Sequence, residues 1–197
     1  MLLQVNPKLI GDGDGMIIHV DVSDPRSPFM VPREIRNAVI ARMHARAAQD
    51  FVKADALQDA IIRAGYRIIR GSLNEEILTK EYKVRLKGVD APEMGMAYGE
   101  EAKEALINLI GGKSLKLVAY GNDPYGRLLA DVYIEQRFLQ EILLKEGHVW
   151  HYQFFDKRPE LAQWQVEAQV GRKGLWANSN PQSPWDYKLE ERKKNKC

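Results

Sequence analysis

The segment YKVRLKGVDAPE, residues 82–93, carries the clearest structural signal in this chain. Its first half alternates hydrophobic residues (Tyr82, Val84 and Leu86) with basic ones, and this period of two is typical of a strand with one buried face. Its second half turns at Asp90, where Pro92 restricts the backbone. The segment therefore predicts a strand that ends in a tight turn carrying acidic side chains.

Further elements follow on both sides of this segment. Strands are predicted at 16–22, 115–120 and 127–134, and helices at 99–110, 138–145 and 159–172. Two more helices, at 33–50 and 52–64, carry apolar residues at helical spacing, and we expect them to form an antiparallel pair. This pair is predicted to pack through Val39, Met43, Leu57 and Ile61.

The order of these elements favours an α+β fold. We predict an OB-fold five-stranded β-barrel with C-terminal helices and an inserted helical hairpin. One domain is expected over 1–178, in which 23–80 is a mainly helical insertion, followed by a polar, loose tail over 179–197. Trp185 is expected to pin part of that tail.

The composition excludes several classes of protein. The chain has 197 residues, 45% hydrophobic and 28% charged, as in an ordinary globular protein. No apolar run approaches the roughly 20 residues that a membrane span needs, so no integral membrane segment is expected. Cys197 is the single cysteine, which excludes an intrachain disulfide. Because the net charge is only +2, any site for a polyanion must be basic locally.

Charged residues that suit phosphate chemistry lie at three turns. They are Asp12 and Asp14 in GDGDG (11–15), Arg85, Asp90 and Glu93 in RLKGVDAPE (85–93), and Arg127 in DPYGR (123–127). Hard cations such as Ca²⁺ prefer carboxylate and carbonyl oxygens, and planar guanidinium groups match phosphate oxygens in pairs. Such a set can neutralise a phosphodiester and orient an attacking water.

Together these three motifs resemble the staphylococcal nuclease (thermonuclease) family. That family carries an Asp-Gly-Asp-Thr turn, an Arg shortly before a Val-Asp-(Thr or Ala)-Pro-Glu turn, and a Tyr-Gly-Arg. The matching segments here are 12–15, 85–93 and 125–127, and the resemblance extends over 11–22 and about 80–178. It implies an OB-fold and a calcium-dependent phosphodiesterase.

The resemblance also implies which residues would hold the metal. The carboxylates of Asp14 and Asp90 would bind a single Ca²⁺, and Ala91 would add its backbone carbonyl. Gly15 stands where the family usually has Thr. Because this change removes a hydroxyl beside the metal ligands and loosens the backbone, we expect weaker metal binding rather than its loss.

The remaining matched residues would act on the substrate. By resemblance, Glu93 would be the general base or the anchor of the attacking water. Arg85 and Arg127 would grip the scissile phosphate, and Tyr125 would contact a phosphate or sugar. Tyr152 is added as a further substrate contact, because an aromatic ring can stack on a base; core burial is the alternative.

Plainer interpretations exist for several of these features. GDGDG taken alone is an ordinary loop, Arg85 taken alone is a solvated strand residue, and Arg127 is a surface charge. His148 and His151 have a spacing seen at metal sites, but no acid or cysteine completes such a site, which favours packing. The order and spacing of the three motifs favour the catalytic interpretation of the arginines.

The segment 21–80 has no counterpart in the bacterial enzyme. A similar helical insertion occurs in the plant-type calcium-dependent nucleases of the family, and VPREIRNAVIARMHARA (31–47) and WHYQFFDKRPELAQW (150–164) resemble that subgroup. The first inserted helix is the more basic one. We expect it to act either as a sequence-independent phosphate-binding surface or as a lid or partner-docking arm.

We therefore expect a calcium-dependent endonuclease that hydrolyses DNA and/or RNA with little sequence specificity and gives 3′-phosphate ends. The alternative is a catalytically inactive nucleic-acid or protein-binding OB-fold module, which typically loses the acids or arginines that this chain keeps. A monomer is expected. Its predicted location is cytoplasmic, or peripheral at the cell membrane if a longer native chain carries an N-terminal lipid anchor.

Overall fold

A computed structural model describes residues 3–5 (backbone only), 10–22, 30–71 and 73–194. The first residues of the predicted insertion, 23–29, therefore lie outside the described residues, as does Cys197. The chain divides into two units, Met1–Leu3 with Ile18–Tyr82, and Gln4–Ile17 with Lys83–Cys197. The first is called the insertion unit below and the second the main unit.

The described elements are nine strands and six α-helices. The strands are β1 Leu3–Val5, β2 Gly15–Asp21, β3 Tyr66–Arg70, β4 Glu76–Leu86, β5 Val89–Asp90, β6 Leu115–Asn122, β7 Leu128–Ile134, β8 Arg137–Phe138 and β9 Trp150–His151. The helices are α1 Arg33–Ala47, α2 Phe51–Arg63, α3 Gly99–Ile110, α4 Leu139–Lys145, α5 Pro159–Val170 and α6 Pro184–Lys194. None of the described helices is long and apolar enough to cross a membrane.

The α+β class is confirmed, whereas the predicted five-stranded barrel is not. The described strands form a seven-stranded sheet with the order β1-β2-β4-β7-β6, in which β3 also pairs with β4 and β8 with β7. This sheet is open in the described part of the chain. In the main unit the end of β4 pairs in parallel with β7, and β7 pairs antiparallel with β6. The pair β5-β9 forms a separate two-stranded sheet.

The insertion unit contains the predicted helix pair, but its contact stripe differs from the prediction. Buried Ile61 lies in a cluster with Ile35 and Val39 packed against it, as the spacing predicts. Met43 is instead 56% exposed, and Arg42 is buried. Eight residues from Ile35, Met43 lies roughly 80° around a helix that turns about 100° per residue, so it leaves the buried face.

A strand that the sequence analysis missed completes the insertion unit. The strand β3 pairs antiparallel with the first half of β4, with Tyr66 opposite Lys80 and Arg70 opposite Glu76. The buried Arg42 donates to Glu76 from both terminal nitrogens, at 2.8 and 3.3 Å. One of the basic residues of α1 is thus engaged in an internal ion pair.

The helices of the main unit follow the sequence prediction closely. The helix α3 has the predicted bounds, and α4 and α5 lie within theirs. Leu106, Leu143 and Leu161 are completely buried, because the apolar stripe of each helix faces the core. Gln140 is equally buried, and its amide compensates for this by accepting from the Val132 N–H and donating to the Ala130 carbonyl.

The predicted loose tail is wrong over most of its length, because residues 184–194 form α6. The Ser183 hydroxyl accepts from the Asp186 N–H at 3.2 Å and so caps the helix, with Pro184 in the first turn. The Trp185 ring stacks on Tyr152, with 5.5 Å between centroids and 9° between planes. The expectation that Trp185 pins the tail is confirmed.

A buried ion network joins β7 to the segment before α5. Arg158 donates from both terminal nitrogens to Asp131, at 2.7 and 2.9 Å, and also binds Asp156. Asp156 further accepts from Lys87 at 2.5 Å, and the Tyr120 hydroxyl donates to Asp131. Both carboxylates are almost completely buried. Because a buried charge is costly when unpaired, this network orients the start of α5.

The network predicts a specific loss of stability in acid. Burial raises the pKa of Asp156, but hydrogen bonds from Arg158 and Lys87 outweigh it and lower this pKa from its ordinary 3.8 to about 2. A carboxyl with a lowered pKa stabilises the fold above about pH 4, and this contribution disappears as the pH falls towards 2. The free energy of unfolding of the wild type should therefore approach that of Asp156→Asn over this window. A difference between them that does not change from pH 5 to pH 2 would contradict the assignment.

Candidate active site

The turn before β2 places Asp14 inside the main unit. The backbone carbonyl of Asp14 accepts from the Leu86 N–H at 2.9 Å, which holds the turn against the end of β4. At Gly13 a Cβ atom would lie 2.9 Å from the Cβ atoms of Ala91 and Ala102, so only glycine allows this close approach. The Asp14 side chain is consequently buried.

The turn after β4 brings Asp90 to the same place. Gly88 has a φ of +79°, a left-handed conformation that glycine adopts without strain and that lets the chain reverse before β5. Asp90 is buried at the end of β5. The next residue, Ala91, donates its N–H to the Asp14 carboxylate at 2.5 Å. The two predicted metal-binding turns therefore contact each other directly.

Arg85 joins the two carboxylates. Its Nη1 lies 2.6 Å from Asp14 Oδ1 and its Nη2 lies 2.5 Å from Asp90 Oδ1. The Arg85 side chain is 11% exposed, and the two carboxylates are less exposed still. The structure thus brings Asp14 together with Arg85 and Asp90, which lie more than 70 residues later in the sequence, in one buried ion cluster.

Burial disfavours the charged form of the Asp14 carboxyl. Burial raises the pKa of Asp14 to about 7, Asp12 and Asp90 add to the rise, and the Arg85 guanidinium opposes it. The carboxylate form is therefore penalised although a guanidinium is in contact with it. An additional cation at Asp14 and Asp90 would favour the ionised forms.

Glu93 lies at the edge of this cluster. Its side chain is 39% exposed, so it is accessible to water, unlike Asp14 and Asp90. Its carboxylate pairs with Lys188 of α6 at 2.8 Å, and the same Lys188 ammonium lies 3.4 Å from Asp90 Oδ2. The sequence analysis treated Lys188 as part of a solvated tail. The sequence did contain a signal for the docking of Lys188. This lysine lies three residues after Trp185, and this spacing places both side chains on the same side of a helix.

Arg127 and Tyr125 are held in a turn of their own. The Asp123 carboxylate accepts from the N–H groups of Tyr125 and Arg127, both at 2.9 Å, and from Arg127 Nε at 2.7 Å. The Arg127 guanidinium lies over the Tyr125 ring, 5.5 Å from its centroid, and this ring is 80% exposed. Arg127 directly precedes β7, whose Leu128 is in register with Val84. Arg127 therefore lies at the start of the strand that pairs with β4, the strand that carries Arg85. Among the described contacts it does not belong to the Arg85 ion cluster.

Tyr152 belongs to an aromatic cluster beside α6. Besides stacking on Trp185, its ring contacts Phe154 and Phe155, with centroids 6.0 and 4.9 Å away. Both phenylalanines are largely exposed. A role of Tyr152 in substrate binding stays a prediction. The neighbouring His151 is buried, and its Nε2 lies 2.7 Å from the Asp156 carbonyl oxygen. This is a structural contact, in line with the packing role predicted for His151.

The oxygen donors of this cluster are of the kind that a hard cation binds. Within the described ranges no three His, Cys, Asp or Glu side chains converge as a ready metal site. Asp14 and Asp90, which Arg85 bridges, offer carboxylate oxygens, and Ca²⁺ completes its shell with backbone carbonyls and waters. The absence of nitrogen or sulfur donors from this pair disfavours zinc.

Comparison with known proteins gives a consistent family. The family model described as "Staphylococcal nuclease homologue" matches residues 83–178. The "Probable staphylococcal-like nuclease CAN1" of Oryza sativa subsp. japonica is 50% identical over 190 residues, which are 96% of this chain and 57% of that protein. The "Staphylococcal-like nuclease CAN1" of Arabidopsis thaliana is 43% identical over 190 residues, 96% of this chain and 58% of that protein.

A bacterial relative matches a smaller part of this chain than the plant relatives do. An "Uncharacterized endonuclease" of Escherichia coli O157:H7 is 30% identical over 110 residues, which are 55% of this chain but 72% of that protein. The chain spans about half the length of the plant relatives. The bacterial match covers most of its own protein, and the plant matches extend over nearly all of this chain. On this evidence the chain belongs to the staphylococcal nuclease homologue family.

Proposed function

We propose that this chain is a calcium-dependent endonuclease that hydrolyses phosphodiester bonds of DNA and/or RNA. The observation that carries the proposal is the buried cluster in which Arg85 bridges Asp14 and Asp90, with the accessible carboxylate of Glu93 at its edge. Little sequence specificity is expected, because such a site recognises the phosphate rather than the base edges. By family resemblance we propose 3′-phosphate products, and an OB-fold for the main unit.

We propose that Asp14, Asp90 and the backbone carbonyl of Ala91 hold the metal. When bound, Ca²⁺ would supply positive charge to the phosphate and to the attacking water. The carboxylates would be held in position by existing contacts, since Ala91 N–H and Arg85 both bind the Asp14 side chain. In metal sites, hydrogen bonds of this kind from neighbouring groups fix the orientation of the ligating carboxylates.

The remaining roles follow from position and chemistry. Glu93, being accessible, would accept the proton of the attacking water. Arg85 and Arg127 would stabilise the negative charge that develops on the phosphate oxygens. Arg85 must then share its donors between carboxylates and substrate, which five guanidinium N–H groups allow. Tyr125, exposed beside Arg127, would contact a phosphate or sugar.

Chelation gives a direct test of the metal. Digestion of plasmid and single-stranded DNA should proceed with Ca²⁺ and stop in excess chelator. Asp14→Asn should raise the Ca²⁺ concentration needed for half-maximal cleavage, because a neutral amide removes one ligand charge. Digestion that continues undiminished in chelator would contradict metal dependence. Retained nucleic-acid binding without cleavage under all metal conditions would favour the inactive binding module instead.

We also propose that the chain is a monomer that acts in the cytoplasm, or at the periphery of the cell membrane if a longer native chain carries an N-terminal lipid anchor. For the inserted helix pair α1–α2 we propose either a lid or partner-docking arm, or a sequence-independent phosphate-binding surface formed by its more basic first helix. Arg33 and Arg36 remain exposed on α1 and can serve this role, unlike the buried Arg42.

A further inference from the structure

The helix α6 is anchored beside the ion cluster at more than one point. The Trp185 ring stacks on Tyr152 and makes an edge contact with Trp150, with centroids 5.4 Å apart in the second pair. Tyr187 packs on Gly95 so closely that a Cβ there would lie 2.9 Å from its hydroxyl. Gly95 follows Glu93 in the same loop, so α6 is docked on the loop that carries the proposed base.

This docking directs a cationic side chain at the proposed active-site acids. The Lys188 ammonium lies 2.8 Å from Glu93 Oε1, and 3.5 and 3.4 Å from the two carboxylate oxygens of Asp90. The Lys188 side chain is 40% exposed, so it is not locked in a buried pair and can withdraw into solvent. Its long flexible stem permits this without moving the helix.

The charges explain why Lys188 is attracted to this position. Asp14, Asp90 and Glu93 carry three formal negative charges, and Arg85 supplies one positive charge. Lys188 brings the set closer to neutrality through contacts on the side of Asp90 and Glu93, whereas Arg85 binds Asp14 and Asp90. A divalent cation bound by Asp14 and Asp90 would meet a like charge at Lys188 and would compete with it for Asp90.

We propose that Lys188 is a tethered cation that neutralises the acidic cluster in the absence of metal and competes with the divalent cation for Asp90. This inference rests on the proposed function, because it assumes that Asp90 is a metal ligand. In the competition, metal binding displaces the ammonium from Asp90, and the metal-free cluster is stabilised against repulsion between its carboxylates. The consequence is a Ca²⁺ affinity set lower than the acidic residues alone would produce.

Calorimetric titration of the metal-free protein with CaCl₂ tests this inference without measuring cleavage. Lys188→Met removes the charge and keeps an apolar side chain of similar length. We expect its Ca²⁺ affinity to rise about tenfold, because a repulsive unit charge a few ångströms from the ion is removed. Lys188→Arg keeps the charge and should retain an affinity near that of the wild type.

Two controls separate the possible results. Lys194→Met, on the same helix but paired only with Glu191 among the described contacts, should leave the affinity unchanged. Asp14→Asn should weaken binding in every background, which reports on the metal site itself. If Asp14→Asn weakens binding but Lys188→Met has the wild-type affinity, the competition is wrong and the metal site stands.

The other outcomes are equally distinct. If neither the wild type nor Lys188→Met binds Ca²⁺, the proposed metal function fails, and the competition fails with it. If Lys188→Met binds Ca²⁺ no more tightly but binds single-stranded DNA more weakly, Lys188 is a phosphate-binding residue and the competition is overturned. Binding detectable only in Lys188→Met would support the competition in its strongest form.

Discussion

Glu93→Gln is expected to lower the cleavage rate about 10²- to 10⁴-fold, which is the usual contribution of a general base. Glutamine has nearly the same shape as glutamate but cannot accept the proton of the attacking water. Because the Glu93 side chain is 39% exposed, the substitution should leave folding intact. The measurement is single-turnover cleavage of a labelled oligonucleotide at saturating Ca²⁺.

Arg127→Ala should reduce the same rate by a comparable factor, because a phosphate clamp acts mainly in the transition state. Arg127 gives a cleaner test than Arg85. Removing Arg85 would leave Asp14 and Asp90 buried without their guanidinium partner, and the loss of stability would obscure the kinetics. Arg127 pairs instead with Asp123 in a more exposed turn.

Glu104→Gln serves as the matched control for Glu93→Gln, since Glu104 is an exposed carboxylate on α3. It should retain the wild-type rate. If Glu93→Gln and Arg127→Ala both turn over at nearly the wild-type rate, the assignment of the active site is wrong. A normal rate for Arg127→Ala alone would restrict the phosphate-binding role to Arg85.

Arg158→Met should destabilise the fold by about 3 kcal/mol, near the lower end of the range for broken buried ion pairs. The substitution leaves both carboxylates buried, with Tyr120 and Gln140 as the remaining described side-chain partners of Asp131 and Lys87 as that of Asp156. The value is placed low in the range because the Arg158 side chain is 27% exposed and water can reach part of the network.

Urea denaturation should show this loss as a lower midpoint with an unchanged slope. Lys173→Met is the control, because Lys173 and Glu146 form an ion pair in which both side chains are about half exposed. Exposed pairs of this kind contribute at most about 1 kcal/mol. Equal midpoints for Arg158→Met and Lys173→Met would show that the network does not stabilise the fold.

The sequence predicted most of the local structure, and the three motifs indicated the candidate site. The bounds of α3 agree with those read from Gly99 and the Gly111–Gly112 stop, because helix ends depend on nearby residues. Asp14, Arg85 and Asp90, which the motifs grouped, meet in one ion cluster, and their functional roles stay predictions. The family is confirmed as well.

Where prediction failed, the missing information was not local. The stripe of α1 depends on how the helix is rotated against its neighbours, so spacing alone did not distinguish Met43 from Arg42. The strand β3 exists as an antiparallel partner of β4, and a short apolar run does not by itself specify such pairing. Barrel closure also depends on distant pairings, and the predicted five-stranded barrel stays unconfirmed because the sheet of the described residues is open.

By itself the sequence determined the α+β class, the helices of the main unit and the acids and arginines that suit phosphate chemistry. Only the tertiary structure decided which charges meet. Lys188 lies 98 residues from Asp90 in sequence, and Arg158 lies 27 from Asp131. The physical reason is that periodicity and capping act within a few turns of chain, whereas an ion pair depends on where folding brings its two ends.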